Sequence, residues 1–516
     1  MTTSPSLAPP ENPAPPGAGG WLGDPPQAGP AVADQSLGEF GYPQQLHRTM
    51  GRFASFAAGF SFISVLTTVF QLFSFGYGFA GPAFFWSWPL VLGGQLLVAA
   101  CFAELAARYP ISGSIYQWAT RLGNAVYGWF TGWLMVIGQI VVVTAAALAL
   151  QVVLPSVWSG FQLVGGDPAL SSRTGAANAV LLGAALISAT TLVNVIGIRL
   201  MSVINSVGVT AELTGIALIA VLLFTHSERT PTVTLHTGGQ SGYLWMFLVG
   251  SFTAAYVMIG FDSAGEMSEE TRAPRRTAPR TILGALAAAG LGGGLLILGA
   301  LLAAPSLSDG RLATEGMAYV LTSTLGELPG RLLLADVAVA VCVGTLAMQT
   351  AGARMIFSMA RDGALPYSRR LAAVSPRTGT PHLPALVSGG LAIGFLLVNL
   401  LAPSAFLALE TTCIVLVYTA YALVVGAMLR RRLQGRPIGS GDELDEQGRP
   451  LFSLGRWGLP VNVLALVYGV AMTVNLAWPR AAVYDPAGGH WYLQWFSLLF
   501  LAGALAVGGA YRLRRR

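Results

Sequence analysis

The chain has 516 residues, 54% of them apolar and only 10% charged, where an ordinary soluble domain has about a quarter charged. Lipid is the solvent such a composition fits, which sets aside soluble enzymes and nucleic-acid-binding modules as first readings. Lysine is absent, so all 29 basic residues are arginine and the net charge of +6 must be read by position.

Residues 1–45 are rich in Pro and Gly and lack the basic start and short apolar core of a secretory signal; they read as a disordered cytosolic tail. Twelve spanning helices are then predicted, at 53–77, 83–107, 124–153, 175–198, 202–225, 243–268, 279–303, 332–360, 384–402, 405–430, 459–478 and 491–511. About twenty residues at roughly 1.5 Å each cross a hydrocarbon core. The expected fold is therefore an all-α polytopic bundle, since a helix satisfies its own backbone where water is missing. Polar segments near 226–242, 304–331 and 431–457 are read as loops, the last as a mobile cytosolic one.

If successive spans alternate sides, Arg173, Arg229, Arg311, Arg331 and Arg480 fall on one side and the other 24 arginines (29 minus 5) on the opposite side. The positive-inside rule makes the crowded side cytosolic and places both chain ends there. Arg430–Arg432 and Arg512–Arg516 are expected to face anionic headgroups rather than nucleic acid. Cys101, Cys342 and Cys413 sit in apolar runs without ligand spacing and read as core residues. The histidines at 47, 226, 236, 382 and 490 lie near ends or loops. With no metal or nucleophile constellation and no Gly-rich phosphate loop, neither an enzyme nor a cofactor or metal is expected.

The first and sixth spans are unusual. The first carries Ser55, Ser61, Ser64, Thr67, Thr68, Gln71 and Ser74, then Gly76, Gly78 and Gly81-Pro82; the sixth carries Gly250, Thr253, Gly260, Asp262, Ser263, Gly265 and Glu266. Polar, interrupted spans at matching places in two five-helix halves point to an inverted repeat with broken helices at the midplane. Half-helix N-termini there favour a carboxylate and C-termini a cation, so a zwitterion suits both. Close helix packing also uses Gly, Ser and Thr, and it stands as the alternative for the first span.

The stretch GFDSAGEMSEETRAPRRTAPRTI (Gly260–Ile282) resembles the sixth-helix signature of the amino acid, polyamine and organocation permease superfamily. AELAARYPISGSIYQW (Ala103–Trp118) and GARMIFSMARDGALP (Gly352–Pro366) agree with it, and GYGFAGPAFFWSWPLV (Gly76–Val91) resembles the amino acid and choline transporter subfamily, with its 4-aminobutyrate and choline permeases. The resemblance runs from about 45 to 511. It implies repeats at about 53–225 and 243–430 followed by two extra helices at about 459–511, all within a permease domain at 46–516. It also implies a solute held between the broken helices and alternating access.

In that family the first helix unwinds at Gly-x-Gly-Ile-Phe; the matching run here is Leu66-Thr67-Thr68-Val69-Phe70, without either glycine. Ser64, Thr67, Thr68, Tyr256, Gly260 and Asp262 are the expected solute-site residues, with Tyr256 as an aromatic cover. Asp262 has three possible roles, in proton coupling, in gating or in attraction of an amine, with a purely structural role beside them. Proton-coupled relatives place a lysine seven residues after a fifth-helix Asn; here Asn205 plus seven is Glu212, which is expected to titrate in its stead. Glu269 and Glu270 are expected to pair with Arg272, Arg275 or Arg276, while Glu104 and Arg108, and Arg354, Arg361 and Asp362, read as cytosolic charge networks.

The expected function is a secondary permease for an amino acid or amino-acid-derived amine, with protons as coupling partner and the bilayer as its solvent. Uptake of choline-like or polyamine cations, solute exchange, and a transporter-like sensor are the alternatives.

Overall fold

The computed structural model describes residues 37–237, 242–401, 403–438, 444–445, 447–485 and 488–515, with the side chains of 401–410 outside the description. The expected tail lies outside the described residues up to 36. Residues 37–44, a short turn, belong to a unit separate from 45–516, and everything below concerns the second unit.

That unit is helical: α1 (Arg52–Ile63), α2 (Val65–Ala80), α3 (Ser87–Arg108), α4 (Ser114–Leu122), α5 (Ala125–Val157), α6 (Arg173–Ile196), α7 (Ile198–Thr225), α8 (Tyr243–Val257), α9 (Ser263–Glu266), α10 (Pro274–Ala303), α11 (Met317–Leu325), α12 (Glu327–Arg361), α13 (His382–Leu401), α14 (Pro403–Leu433), α15 (Gly458–Ala477) and α16 (Phe496–Leu513). Among the described residues ten segments are long and apolar enough to span a membrane. One of them, Arg52–Arg108, holds two spans, and the shorter Tyr243–Val257 supplies one more, which gives the twelve expected. Large apolar side chains such as Leu218, Val221, Leu291, Leu295 and Val467 remain outward on these helices, an arrangement that water would penalise and lipid does not.

Three of the predicted elements change. The first span is not continuous: it stops at Ile63 and restarts at Val65, with Ser64 between them at φ 44° and ψ 73°. The sixth ends at Val257, runs non-helically to Asp262, and resumes only as the single turn α9. The segment read as a loop at 304–331 contains α11, because Met317, Val320 and Leu321 lie on one helical face and are buried. In the described second half of the 431–457 segment, Asp445 accepts from the backbone and side chain of Arg449 and the Phe452 carbonyl accepts from Arg108.

Inside the bundle, α12 packs along α5 and α7, α10 along α3, and α2 along α8. Fully buried aromatics, among them Phe102, Trp118, Tyr418, Tyr421, Phe60 and Phe261, pack around the two interruptions. Both breaks therefore sit at the centre of the bundle, away from lipid.

Candidate solute site at two helix breaks

A break inside a membrane must find partners for the backbone groups it frees. At Ser64 it does so with side chains. The Ser64 Oγ lies 2.6 Å from Thr67 Oγ1 and donates to the Ala340 carbonyl at 3.4 Å, while Thr68 Oγ1 donates to the Ser64 carbonyl at 2.9 Å. The Leu66 N–H, an orphan donor in the first turn of α2, reaches Glu212 Oε1 on α7 at 3.1 Å. Glu212 is 1% exposed, and its Oε2 has no hydrogen-bond partner among the described residues. An L-residue in the left-handed region costs about 1–2 kcal/mol, and these bonds offset it. The break thus falls at Ser64, two residues before the run expected to unwind, and it needs no glycine.

The second break does use one. Gly260 has φ 87°, and a Cβ there would land on the Phe62 ring of α1, so the two interruptions touch through Phe62. The Gly260 N–H donates to Tyr421 Oη at 3.0 Å, and the Tyr421 hydroxyl in turn donates to Asp262 Oδ1. Asp262 is 1% exposed and its Oδ2 is without a partner among the described residues. Glu266, four residues on, accepts from Gln139 Nε2 at 2.7 Å and also keeps one unpartnered oxygen. Ionised carboxylates so placed are costly unless they serve a task.

The structure brings Ser64, Thr67 and Glu212 together at the first break and Gly260 and Asp262 together at the second. Thr68 is turned back onto its own helix. Tyr256 is buried on α8, where it lines a cavity of about 20 Å³ with Leu72, Phe75, Phe252, Thr253, Thr411 and Ile414. A single water needs a cavity of about 10–15 Å³, so this one has room for about one water and none for an amino-acid-sized solute, which enters only if these helices move. Tyr421, which holds both Asp262 and Gly260, is the residue the sequence reading missed; nothing local distinguishes it from a packed tyrosine.

Beyond α9 the chain is fastened to α12. Arg354 meets Glu270 through Nη2 to Oε1 at 2.7 Å and Nε to Oε2 at 3.2 Å, with both side chains fully buried. Arg361 grips Glu269 at 2.8 and 3.0 Å, and the Ser112 N–H donates to the same carboxylate. Glu269 and Glu270 thus pair with Arg361 and Arg354, partners outside the expected Arg272, Arg275 and Arg276, because the short turn Ser268–Glu270 that follows α9 presents them to α12. Tyr116 and Gln117 of α4 donate to Asp362, and Arg432, Arg108 and Ser453 converge on Glu104, so the arginine-rich end is closed by a layered set of charge pairs.

The comparisons agree with this architecture. A family profile described as amino acid permease matches residues 50–503. The chain is 28% identical to the amino-acid permease BAT1 of Arabidopsis thaliana, over 86% of this chain and 88% of the relative. It is 25% identical to the thiamine transporter thi9 of Schizosaccharomyces pombe, over 86% and 80%, and 24% identical to amino-acid permease 2 of Neurospora crassa, over 88% and 83%. With two broken helices meeting at the bundle centre and a profile match across nearly its whole length, the chain belongs to the amino acid permease family.

Proposed function

We propose that this permease couples movement of an amino acid or amino-acid-derived amine to a proton, by alternating access around the two breaks. One observation carries the reading: Glu212 sits unexposed at mid-span with its carboxylate on the free amide of the first break. Protonation there weakens its hold on the Leu66 N–H, because a charged acceptor makes about twice as strong a hydrogen bond as a neutral one. A proton and the geometry of the first helix are then linked. Ser64, Thr67, Gly260 and Asp262 line the solute path, Tyr256 covers it, and the charge pairs between the Glu269-Glu270 turn and α12 form the closed gate on the cytosolic side. The proposed organisation is two five-helix repeats at about 53–225 and 243–430 preceded by a tail at 1–45, and the arginine asymmetry supports the proposed orientation.

A second reading has its own support. Glu212 already takes an amide that a solute carboxylate would need, and one relative is a thiamine transporter by name, so an organic cation attracted by Asp262 is the alternative solute. The test is uptake by purified protein in liposomes, with labelled amino acids, 4-aminobutyrate, choline, putrescine and thiamine, with and without an inward proton gradient. Gradient-stimulated uptake of a carboxylate-bearing solute supports the first reading. Uptake of amines alone moves the solute to the second, and uptake indifferent to the gradient overturns proton coupling.

A further inference from the structure

The arginine-rich end of the bundle holds more positive charge than its ion pairs consume. There α3 ends at Arg108, α14 ends at Leu433 and α15 begins at Gly458, and residues at these three helix ends line a cavity of about 400 Å³. That volume is in the range of ligand pockets, about 300–1,000 Å³. Four guanidinium groups line it, from Arg108, Arg432, Arg436 and Arg456, against the one carboxylate of Glu104, a surplus of three positive charges (four minus one).

Glu104 has nothing left to give. It is 3% exposed; its Oε1 accepts from Ser453 at 3.2 Å and lies 3.5 Å from Arg108 Nη1, and its Oε2 accepts from Arg432. Arg432 lies against the start of α15, where a Cβ on Gly458 would fall on its guanidinium, and its buried Nε has no acceptor among the described residues. Arg436 and Arg456 are exposed, Arg456 over the Trp457 ring at 5.8 Å, and among the described residues neither has an acidic partner. Such a set repels itself until an anion joins it, and guanidinium forks match phosphate oxygens two at a time.

The neighbouring surface indicates what carries the anion. Leu459, on the cavity wall, is the first of an outward stripe along α15 that continues through Val463, Val467, Val470 and Val474 at helical spacing, all of them exposed. Trp457 is exposed at the same end, as aromatic side chains are at the headgroup level of a bilayer. A phosphate held by the arginines is therefore continuous with an apolar helix face, which a soluble anion does not need and a phospholipid does.

We propose that this cavity binds the phosphate of an anionic phospholipid, whose acyl chains lie along the α15 stripe. The lipid neutralises the surplus charge and ties the ends of α3, α14 and α15 together beside the Glu104 pairs. Basic pockets between spans on the cytosolic side suit such headgroups. The site stands apart from the two helix breaks and does not depend on which solute or ion is moved.

The test titrates the purified full-length protein in detergent with short-chain phosphatidylglycerol and follows its melting temperature, which a ligand of the folded state raises. Phosphatidylcholine of the same chain length and inorganic phosphate are run beside it. The melting temperature is expected to rise with phosphatidylglycerol and to respond to neither of the others. Arg436→Gln combined with Arg456→Gln leaves the Glu104 pairs intact and should raise the phosphatidylglycerol concentration at half-effect by about tenfold or more. Arg514→Gln with Arg515→Gln, basic residues of the chain end away from the cavity lining, should leave it in place. An equal response to phosphatidylcholine, or a phosphatidylglycerol response unchanged in the Arg436 and Arg456 variant, overturns the site. A rise with inorganic phosphate that the same variant abolishes makes the cavity a soluble-phosphate site and overturns the lipid assignment. Should the double variant fail to elute as a single species, Arg436→Gln alone decides by a shift in the same sense.

Discussion

Replacing Glu270 with Gln keeps the side chain's shape and removes the charge that faces Arg354. The guanidinium then stays 1% exposed with no counter-charge, a situation that destabilises proteins by about 3–5 kcal/mol. At about 1.4 kcal/mol per factor of ten, even the lower bound raises the opened population more than a hundredfold. The same reasoning makes the double replacement Glu270→Met with Arg354→Met nearly neutral, because two desolvated charges leave together and apolar side chains fill their volume. Heating the protein in detergent and following the monodisperse fraction by size exclusion gives the four corners of the cycle. Single variants well below wild type and a double variant close to it are expected. Single effects within about 0.5 kcal/mol of zero, or effects that simply add in the double variant, would refute the claim that this pair closes the arginine-rich end.

Other outcomes follow from the two breaks. Gly260→Ala has to place a Cβ on the Phe62 ring at φ 87°, and a loss of about 2 kcal/mol or more is expected in the same assay, only partly recovered by adding Phe62→Ala. Tyr421→Phe strips the Gly260 N–H of its acceptor and Asp262 of its donor, which should lower stability by about 1–3 kcal/mol and slow uptake. Asp262→Asn retains an acceptor for Tyr421, so normal yield with strongly reduced transport is expected; wild-type uptake would leave Asp262 as a structural acceptor only. Ser64→Gly relieves the left-handed strain of about 1 kcal/mol while removing the hydroxyl that joins Thr67 and Ala340; its melting temperature should hold while the KM for the transported solute rises.

Much of the candidate site was legible in the sequence, and the omissions are instructive. Gly260 and Asp262 stood out because a glycine and an acid inside an apolar stretch violate the local pattern, and Glu212 did so for the same reason. The first break was misplaced because it was sought where glycines stand in relatives. Ser64 adopts the left-handed conformation itself, held by neighbouring hydroxyls and by the Glu212 carboxylate acting on the next turn.

The sequence alone determined that the chain is a twelve-span helical bundle, since span length, apolar content and the placement of arginine are local properties that lipid reads directly. It also singled out the first and sixth spans. The tertiary structure decided which groups meet: Leu66 with Glu212 across 146 residues, Asp262 with Tyr421 across 159, and Arg354 with Glu270 across 84. Such partners come from helix packing, where the approach of α7 to the first break or the short turn after α9 brings a side chain to its partner. Helix periodicity carries no record of those crossings, so the chemistry of the breaks emerges only once the bundle has closed around them.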